Sequence, residues 1–425
     1  MAARYHLAML DVSHLRKEPE RLRASLARRG IDLDLDVLAD LDRQRRISRV
    51  LAEELRAEQK SAGKGISQLE GDARTAAIDR AGQLADKYKA AFAEADALDH
   101  EFEAQWMALP NITDDTAADG MTDADNVEIK RWGTVPEFET TLDHIAIGET
   151  LDIIDVERAV KISGSRFGFI KGGLVRLEFA LVQWVFDELE PYRFKPIVPP
   201  VLVREQALIG TGFFPGEKDQ VYGVDGGELF LVGTSEVPLA AMHGDEIFAA
   251  EDLPLRYAAF STCFRIEAGT YGKDTRGIFR VHQFDKVEMF SFCHPDESGA
   301  EHDFLLAREE SIMQKLNIPY RVVNVAAGDL GSSAAKKYDV EAWFPGQARY
   351  REVTSASNTT DYQARRLKIR FKGERGNQLV HTLNGTAMAM ARMLIAIIEN
   401  YQLPDGTVAV PEVLQPYCGF ETITG

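Results

Sequence analysis

The chain has 425 residues, 45% of them hydrophobic, and a formal net charge of −18. That is enough apolar side chain for two or three packed domains, and too much negative charge for a protein that coats polyanions over its whole surface. No apolar run reaches the ~18–20 residues that span a bilayer, and the N-terminal MAARYHLAMLDVSHLRKEPE lacks the apolar stretch of a secretory signal. The three cysteines, Cys263, Cys293 and Cys418, are far apart and without CxxC spacing. They argue against a disulfide framework or a zinc cage and for a reducing, cytoplasmic setting.

Residues 1–110 carry 18 Lys+Arg against 20 Asp+Glu, so almost all of the negative charge lies further on. Residues 37–62 read as a helix, with Leu41, Leu51 and Leu55 in a weak apolar seam. The glycines of SAGKGISQLEGDAR (61–74) mark a break. Beyond it Ala77, Ala81, Leu84, Tyr88, Ala91, Ala95, Leu98, Phe102 and Leu109 keep 3–4 spacing, broken only at Gln105. Over more than four heptads that spacing predicts a coiled coil, here a long antiparallel helical hairpin of about 48 Å at 1.5 Å rise per residue. Two readings of the arm stay open at this point: an oligomerisation device, or a probe for an extended partner. Arg43, Arg45, Arg46, Arg49, Arg56, Lys60 and Lys64 lie along the first helix and its tip, where they would meet phosphates, although charges on a helix face are most often simply solvated.

PNITDDTAADGMTDAD (110–125) reads as a polar linker. After it the pattern turns to mixed helix and strand. GLVRLEFALVQWVFDELE (173–190) is an apolar-rich helix, and YRFKPIVPPVLV (192–203) is a proline-interrupted edge or interface strand. Further strands are expected at ELFLVG (228–233) and RYREVTSAS (349–357), and a buried helix at NGTAMAMARMLIAIIENYQ (384–402). Strands that adjoin without alternating helices imply an antiparallel α+β sheet; there is no Walker A or Rossmann fingerprint. The segment FRIEAGTYGKDTRGIFRVHQFDKVE (264–288) reads as a β-hairpin. Alternation puts Arg265 and Glu267 on one face, and His282, Phe284, Lys286 and Glu288 on one face of the return strand. A solvent-facing polar side is the plain interpretation of either strand alone.

Taken together, these stretches resemble a class II aminoacyl-tRNA synthetase, specifically the bacterial-type seryl-tRNA synthetase family, over nearly the whole length. Residues 173–200 resemble motif 1 of the class, 264–288 motif 2 and 381–402 motif 3; GTSEVPL (233–239), REVTSASN (351–358) and VPEVLQPY (410–417) resemble family-specific stretches. The resemblance implies a class II antiparallel sheet flanked by helices, carrying an N-terminal helical hairpin. It implies a tRNA-binding arm at 1–112 and a catalytic domain at 113–425, of which 113–172 is a linker and lead-in segment. The implied activity is serine–tRNA ligation: serine and ATP give seryl-adenylate and pyrophosphate, and the seryl group passes to the 3′ end of tRNA(Ser), with tRNA(Sec) as a further acceptor. A homodimer built on motif 1 is implied, with no membrane association and no zinc.

Residue by residue, Arg265 matches the α-phosphate arginine, Arg392 the motif 3 arginine at the terminal phosphates, and Glu352 completes the catalytic set. The planar guanidinium fork holds phosphate bidentately, which a lysine does not. The ATP positions are Arg265, Ile266, Glu267, Val281, Phe284 (the adenine-stacking aromatic), Glu352, Val353, Thr354, Ser355 and Arg392. Glu352 and Ser355 match the residues that hold Mg²⁺ with ATP, as oxygen ligands suit that hard cation. The serine positions are Thr234, Ser235, Glu236, Arg265, Glu288, Asn384 and Thr386. The tRNA candidates are Arg43, Arg45, Arg49 and Arg56 on the arm, and Arg276 in the motif 2 loop. One departure stands out: NGTAMAMAR (384–392) replaces the commoner NGSGLAVGR, so Thr386 adds a methyl where relatives have serine, and Ala387 and Ala391 replace glycines. The family usually starts near Met9, which makes residues 1–8 an expected extension. A relative with another acceptor would be expected to lack the arm, and a non-catalytic paralogue to lack Arg265, Glu352 or Arg392.

Overall fold

The computed structural model describes residues 10–269, 272, 274, 276–374 and 376–425. The expected extension at 1–8 lies outside them, as do Thr270, Tyr271, Lys273 and Thr275 of the motif 2 loop. The chain forms two compact units: one ends at Leu109, and the other comprises Pro110–Gly425 with Arg28–Gly30.

In the first unit, α1 (Leu35–Ala62) and α2 (Gly71–Met107) form the expected hairpin around a short turn at Ile66–Gln68. Their 28 and 37 residues correspond to about 42 and 55 Å. Asp34 starts α1 by accepting from the backbone N–H groups of Asp36 and Val37. The α2 seam is as expected at Leu84, Ala91, Ala95 and Phe102, all buried. Where Gln105 breaks it, Trp106 turns inward, and its indole N–H donates to the Leu10 carbonyl at 2.8 Å. The α1 seam differs from the expected one. Leu51 is 47% exposed, whereas Leu38, Leu41, Ser48 and Ala52 are buried. The inward stripe runs 38–41–45–48–52; two of its positions are Arg45 and Ser48, so a search for leucines selects the wrong face.

Arg45 and Arg49 are committed within the arm. Arg45 bonds Asp42 on its own helix at 2.9 Å and reaches Asp99 of α2 at 3.4 Å, with its guanidinium 4.1 Å from the Phe102 ring centre. Arg49 also pairs with Asp99. These two cations tie α1 to α2 and are engaged in the packing of the arm itself; Arg43, paired with Asp40 on its own helix, and Arg56 lie on the surface.

The second unit is built on an eight-stranded sheet of β1 (Val127–Trp132), β2 (Phe194–Ile197), β3 (Leu255–Phe264), β4 (Gln283–Cys293), β5 (Tyr320–Asn324), β6 (Lys336–Phe344), β7 (Arg349–Asn358) and β8 (His381–Ala389). The order is β1-β5-β6-β7-β8-β4-β3-β2, antiparallel except for the β2–β3 edge pair. Pro196 is therefore on the edge, where its missing N–H costs no ladder bond. The sheet is flanked by α3 (Gly173–Leu189), α5 (Ser298–Lys315) and α6 (Met390–Asn400), and α4 (Glu236–Ala241) follows the GTSEVPL loop. Leu177, Leu181 and Val185 of α3, Val287 and Met289 of β4, Val340 and Ala342 of β6, and Met393 and Ile397 of α6 belong to one buried core.

Three expectations change. The expected helix at 384–402 starts only at Met390; Asn384–Ala389 form a strand, because β4 and β7 each present an open edge that only this segment fills. Residues 110–125, coil as far as a short 3-10 turn at Asp123–Asp125, are packed and are no free tether: Asn111, Thr113, Ala117 and Ala118 are buried, and the Asn111 amide donates to the carbonyls of Ser333 and Thr359. The first strand of the hairpin stops at Phe264, so Arg265 and Glu267 are loop residues, and Glu267 has φ +55°.

Candidate active site

Two β-bulges shape the site. Opposite β6, Thr354 pairs with Val340 and Glu352 with Glu341, leaving Val353 as the extra residue. Glu352 and Ser355 are three apart and would face opposite ways in a regular strand; the bulge turns both onto the wall shared with Ser357. In β8, Thr386 pairs with Glu288 and Met388 with Val287, leaving Ala387 as the extra residue, so that Asn384, Thr386 and Ala389 reach the same wall. On β4 the period of two holds against β3, and Phe284, Lys286 and Glu288 share one face.

These walls enclose a cavity of about 280 Å³. It brings together Thr234, Glu236, Arg265, Glu267, Val281, Phe284, Glu288, Glu352, Val353, Thr354, Ser355, Asn384, Thr386 and Arg392. Two expected residues do not line it. Ser235 is fully buried, its Oγ without a hydrogen-bond partner among the described residues, and Ile266 donates its backbone N–H to the Gln220 carbonyl at 2.9 Å. Arg276 is exposed on the motif 2 loop.

At one end Arg265 is exposed. Its Nε donates to the Gly233 carbonyl at 3.2 Å, and its guanidinium lies 5.3 Å from the Phe284 ring centre. Arg392, in the first turn of α6, donates to the Glu352 carbonyl at 2.8 Å and approaches its carboxylate at 3.3 Å. Burial alone would raise the Glu352 carboxyl, but the cations of Lys337, Arg392 and Arg265 outweigh it and hold the group below the usual carboxylate range. The Phe279 ring stacks under both Arg351 and Arg392, at 4.0 and 5.1 Å. Glu267 pairs with Arg280 at 2.5 Å. Gly277, at φ +70°, lets the returning loop pass directly over His144, whose ring a β-carbon there would strike; His144 is itself held by Glu399 at 3.1 Å.

At the other end the side chains are buried. Glu236 accepts from the Gln363 amide at 2.6 Å; burial, with the charge of Glu288 adding to it, raises its carboxyl to about 7. Thr386 donates to Glu288 at 3.4 Å, and Lys286 pairs with Glu288 and donates to Thr234 at 2.8 Å. Lys286, Phe279, Arg280, Lys337 and Ser357 were not expected in the site. Lys286 was within reach of the sequence, two residues before Glu288 on a face already assigned, whereas Lys337 is brought in only by the pairing of β6 with β7.

Chemically, one end offers forked and point cations over an aromatic ring and an ionised carboxylate, as a polyphosphate and a purine require. The other offers carboxylates and hydroxyls on buried side chains, as a small amino acid requires.

The chain is similar to known proteins over nearly its whole length. Residues 9–113 match the model of the seryl-tRNA synthetase N-terminal domain, and residues 222–401 that of the tRNA synthetase class II core domain (G, H, P, S and T). A serine–tRNA ligase of Thermobifida fusca is 48% identical over 98% of this chain and 99% of its own length, and one of Streptomyces coelicolor 49% identical over 97% and 98%. Among solved structures, seryl-tRNA synthetase from Pyrococcus horikoshii complexed with ATP superposes with a TM-score of 0.91 at 39% identity, covering 98% of this chain and 99% of that one. Cytoplasmic serine–tRNA ligase from Naegleria fowleri in complex with AMP gives 0.87 at 34% identity, covering 99% of each. With both domains matched and its length covered almost completely at this identity, the chain belongs to the seryl-tRNA synthetase family of class II aminoacyl-tRNA synthetases.

Proposed function

We infer that the chain activates serine with ATP and transfers the seryl group to the 3′-terminal adenosine of tRNA(Ser); tRNA(Sec) is a second acceptor to be tried in the same assay. The observation that carries the reading is the pair of bulges, which bring the phosphate-side residues of β7 and the serine-side residues of β8 into one cavity with Arg265. In the first step a serine carboxylate oxygen attacks the α-phosphorus and pyrophosphate leaves. In the second the tRNA hydroxyl attacks the seryl carbonyl and AMP leaves. Two anions must meet in the first step, and the protein's part is to position and neutralise them. Arg265 takes the α-phosphate, Phe284 the face of adenine, and Arg392, at the positive end of α6, the terminal phosphates.

Glu352 and Ser355 are oxygen donors set on one face by the bulge, and Glu352 is held ionised. That donor set fits Mg²⁺, which would be held there against the phosphates and would supply charge neutralisation when bound. Glu236, Glu288, Asn384, Thr234 and Thr386 receive the ammonium and hydroxyl of serine.

A second copy of the chain completes the assembly in this reading. Phe179 of α3 is 65% exposed, with Val198 at 78% and Leu202 at 42% in the segment that follows. These apolar surfaces on the motif 1 region support an isologous homodimer. The cytoplasm is the proposed compartment: the three cysteines are free and buried, as suits a reducing environment. Among the described residues no helix is long and apolar enough to cross a membrane.

The deciding experiment is ATP–pyrophosphate exchange on the purified chain. Exchange that depends on serine is expected, and a folded protein giving none overturns the reading. A finer prediction concerns Thr386, which is buried against Glu288. Thr386→Ser keeps activity, whereas Thr386→Val loses the hydroxyl and raises the KM for serine by about tenfold, roughly the worth of one hydrogen bond to a charged group. Unchanged kinetics in Thr386→Val remove Thr386 from the substrate contacts.

A further inference from the structure

Lys286 is 5% exposed and lies inside the pocket assigned to serine, beyond the residues the family resemblance supplies. An ammonium has three donors and no acceptor, so every group that touches it must accept. Among the described residues its two partners are Thr234 Oγ1, at 2.8 Å, and Oε2 of Glu288. Thr234 Oγ1 also accepts from the backbone N–H of Glu236 at 3.2 Å. A hydroxyl has two lone pairs and one proton. With both lone pairs engaged, the Thr234 O–H is left to donate, and Thr234 lines the cavity. On Glu288, Lys286 and Thr386 both use Oε2. Among the described residues, Oε1 has no hydrogen-bond partner.

We propose that Lys286 is a specificity-determining positioning residue: it makes Thr234 a donor toward the substrate and holds Glu288 with Oε1 free as an acceptor for the substrate's hydroxyl. The two roles follow from one cation placed between them, because β4 keeps its period of two from Lys286 to Glu288 while the GTSEVPL loop brings Thr234 against the ammonium. A pocket polarised in this way recognises an amino acid whose side chain carries a proton donor. It leaves a carboxylate oxygen unpaired when the side chain is a bare methyl, which is how a polar site rejects such an analogue. Without Lys286 the Thr234 hydroxyl is free to turn round, Glu288 is free to swing, and Glu236 and Glu288 lose the cation near both.

The test rests on the reading of the cavity as a serine site, and the unaltered chain separates the two. If it shows no serine-dependent exchange, that reading fails before Lys286 is addressed. Given wild-type exchange, Lys286→Met is expected to lower kcat/KM for serine by about 100-fold while leaving that for alanine within about threefold, so that the serine-over-alanine ratio collapses. The KM for ATP is expected to stay within about twofold. Thr234→Val is expected to lower the same ratio, and the double variant to lose less than the product of the two single losses, since both act on one polar unit. A folded Lys286→Met that keeps the wild-type ratio overturns the proposal, as do equal losses for serine and alanine or multiplicative losses in the double variant. Should Lys286→Met fail to fold, Thr234→Val, a near-isosteric change, decides by itself: an unchanged ratio overturns the assignment and a collapsed one supports it.

Discussion

Arg265→Ala is expected to lower the rate of serine-dependent pyrophosphate exchange by about two orders of magnitude or more, about 3 kcal/mol of transition-state stabilisation. The reason is visible in how the side chain is held. Its Nε is anchored on the Gly233 carbonyl and its plane lies near Phe284, while among the described residues its two terminal nitrogens have no hydrogen-bond partner. The fork is therefore aimed and unsaturated before ATP arrives, which is what preorganisation requires. Because Arg265 is exposed and makes little packing, the variant should melt within a few degrees of the parent. Arg265→Lys restores the charge but not the two parallel donors, and should recover only part of the rate. Near-normal exchange in Arg265→Ala would remove it from the α-phosphate.

The second large effect is expected from the arm. Shortening it by removal of residues 53–91, with a short glycine bridge between Ala52 and Phe92, leaves its base intact: Asp42 with Arg16 and Arg45, Arg49 with Asp99, and Trp106 on the Leu10 carbonyl. Every residue assigned to ATP or serine lies in the other unit. Pyrophosphate exchange should persist within about twofold, while tRNA aminoacylation falls below a hundredth of the parent's kcat/KM, as binding through phosphate contacts and duplex shape is lost. An oligomerisation arm predicts instead loss of the dimer and of both steps, so sedimentation belongs with the two activity assays. Aminoacylation at parental efficiency would show that the arm does not read tRNA. Single charge changes at Arg43 or Arg56 test the surface directly, each lowering the salt dependence of tRNA binding by nearly one unit of slope if it meets a duplex phosphate.

The parts of the structure legible in the sequence are those where one local signal dominates. The α2 seam has Ala, Leu and Phe at regular spacing, and residues 173–190 carry a broad apolar stripe, so both appear as expected. The α1 seam does not, because the polar residues Arg45 and Ser48 occupy inward positions, and the partners of Arg45, Asp99 and Phe102, lie some fifty residues away. Asn384–Ala389 read as helix because alanine and methionine favour it; the segment is a strand because two neighbours leave it a vacant place in the sheet. The site followed the same division. Residues in recognisable stretches line the cavity, apart from Ser235 and Ile266, which sit beside it. Lys337 and Phe279 enter the site through strand pairing and ring stacking that no short motif encodes. Neither bulge has a composition signal of its own, yet without them Glu352 would face away from Ser355 and Ala389 away from Thr386.

The place of β8 bears on how the protein is made. It is the last strand of the main sheet in the chain, and it lies between β7 and β4. Until residues 381–389 leave the ribosome, the sheet exists as two separate blocks, each ending in an open edge that would accept any extended segment, including one from a neighbouring nascent chain. Closing that gap also delivers Asn384 and Thr386, so the pocket becomes able to hold an amino acid in the same event that seals the fold. A chain ending before residue 381 therefore lacks both the strand that joins the two blocks and two side chains of the pocket. The same nine residues thus close the sheet and complete the pocket.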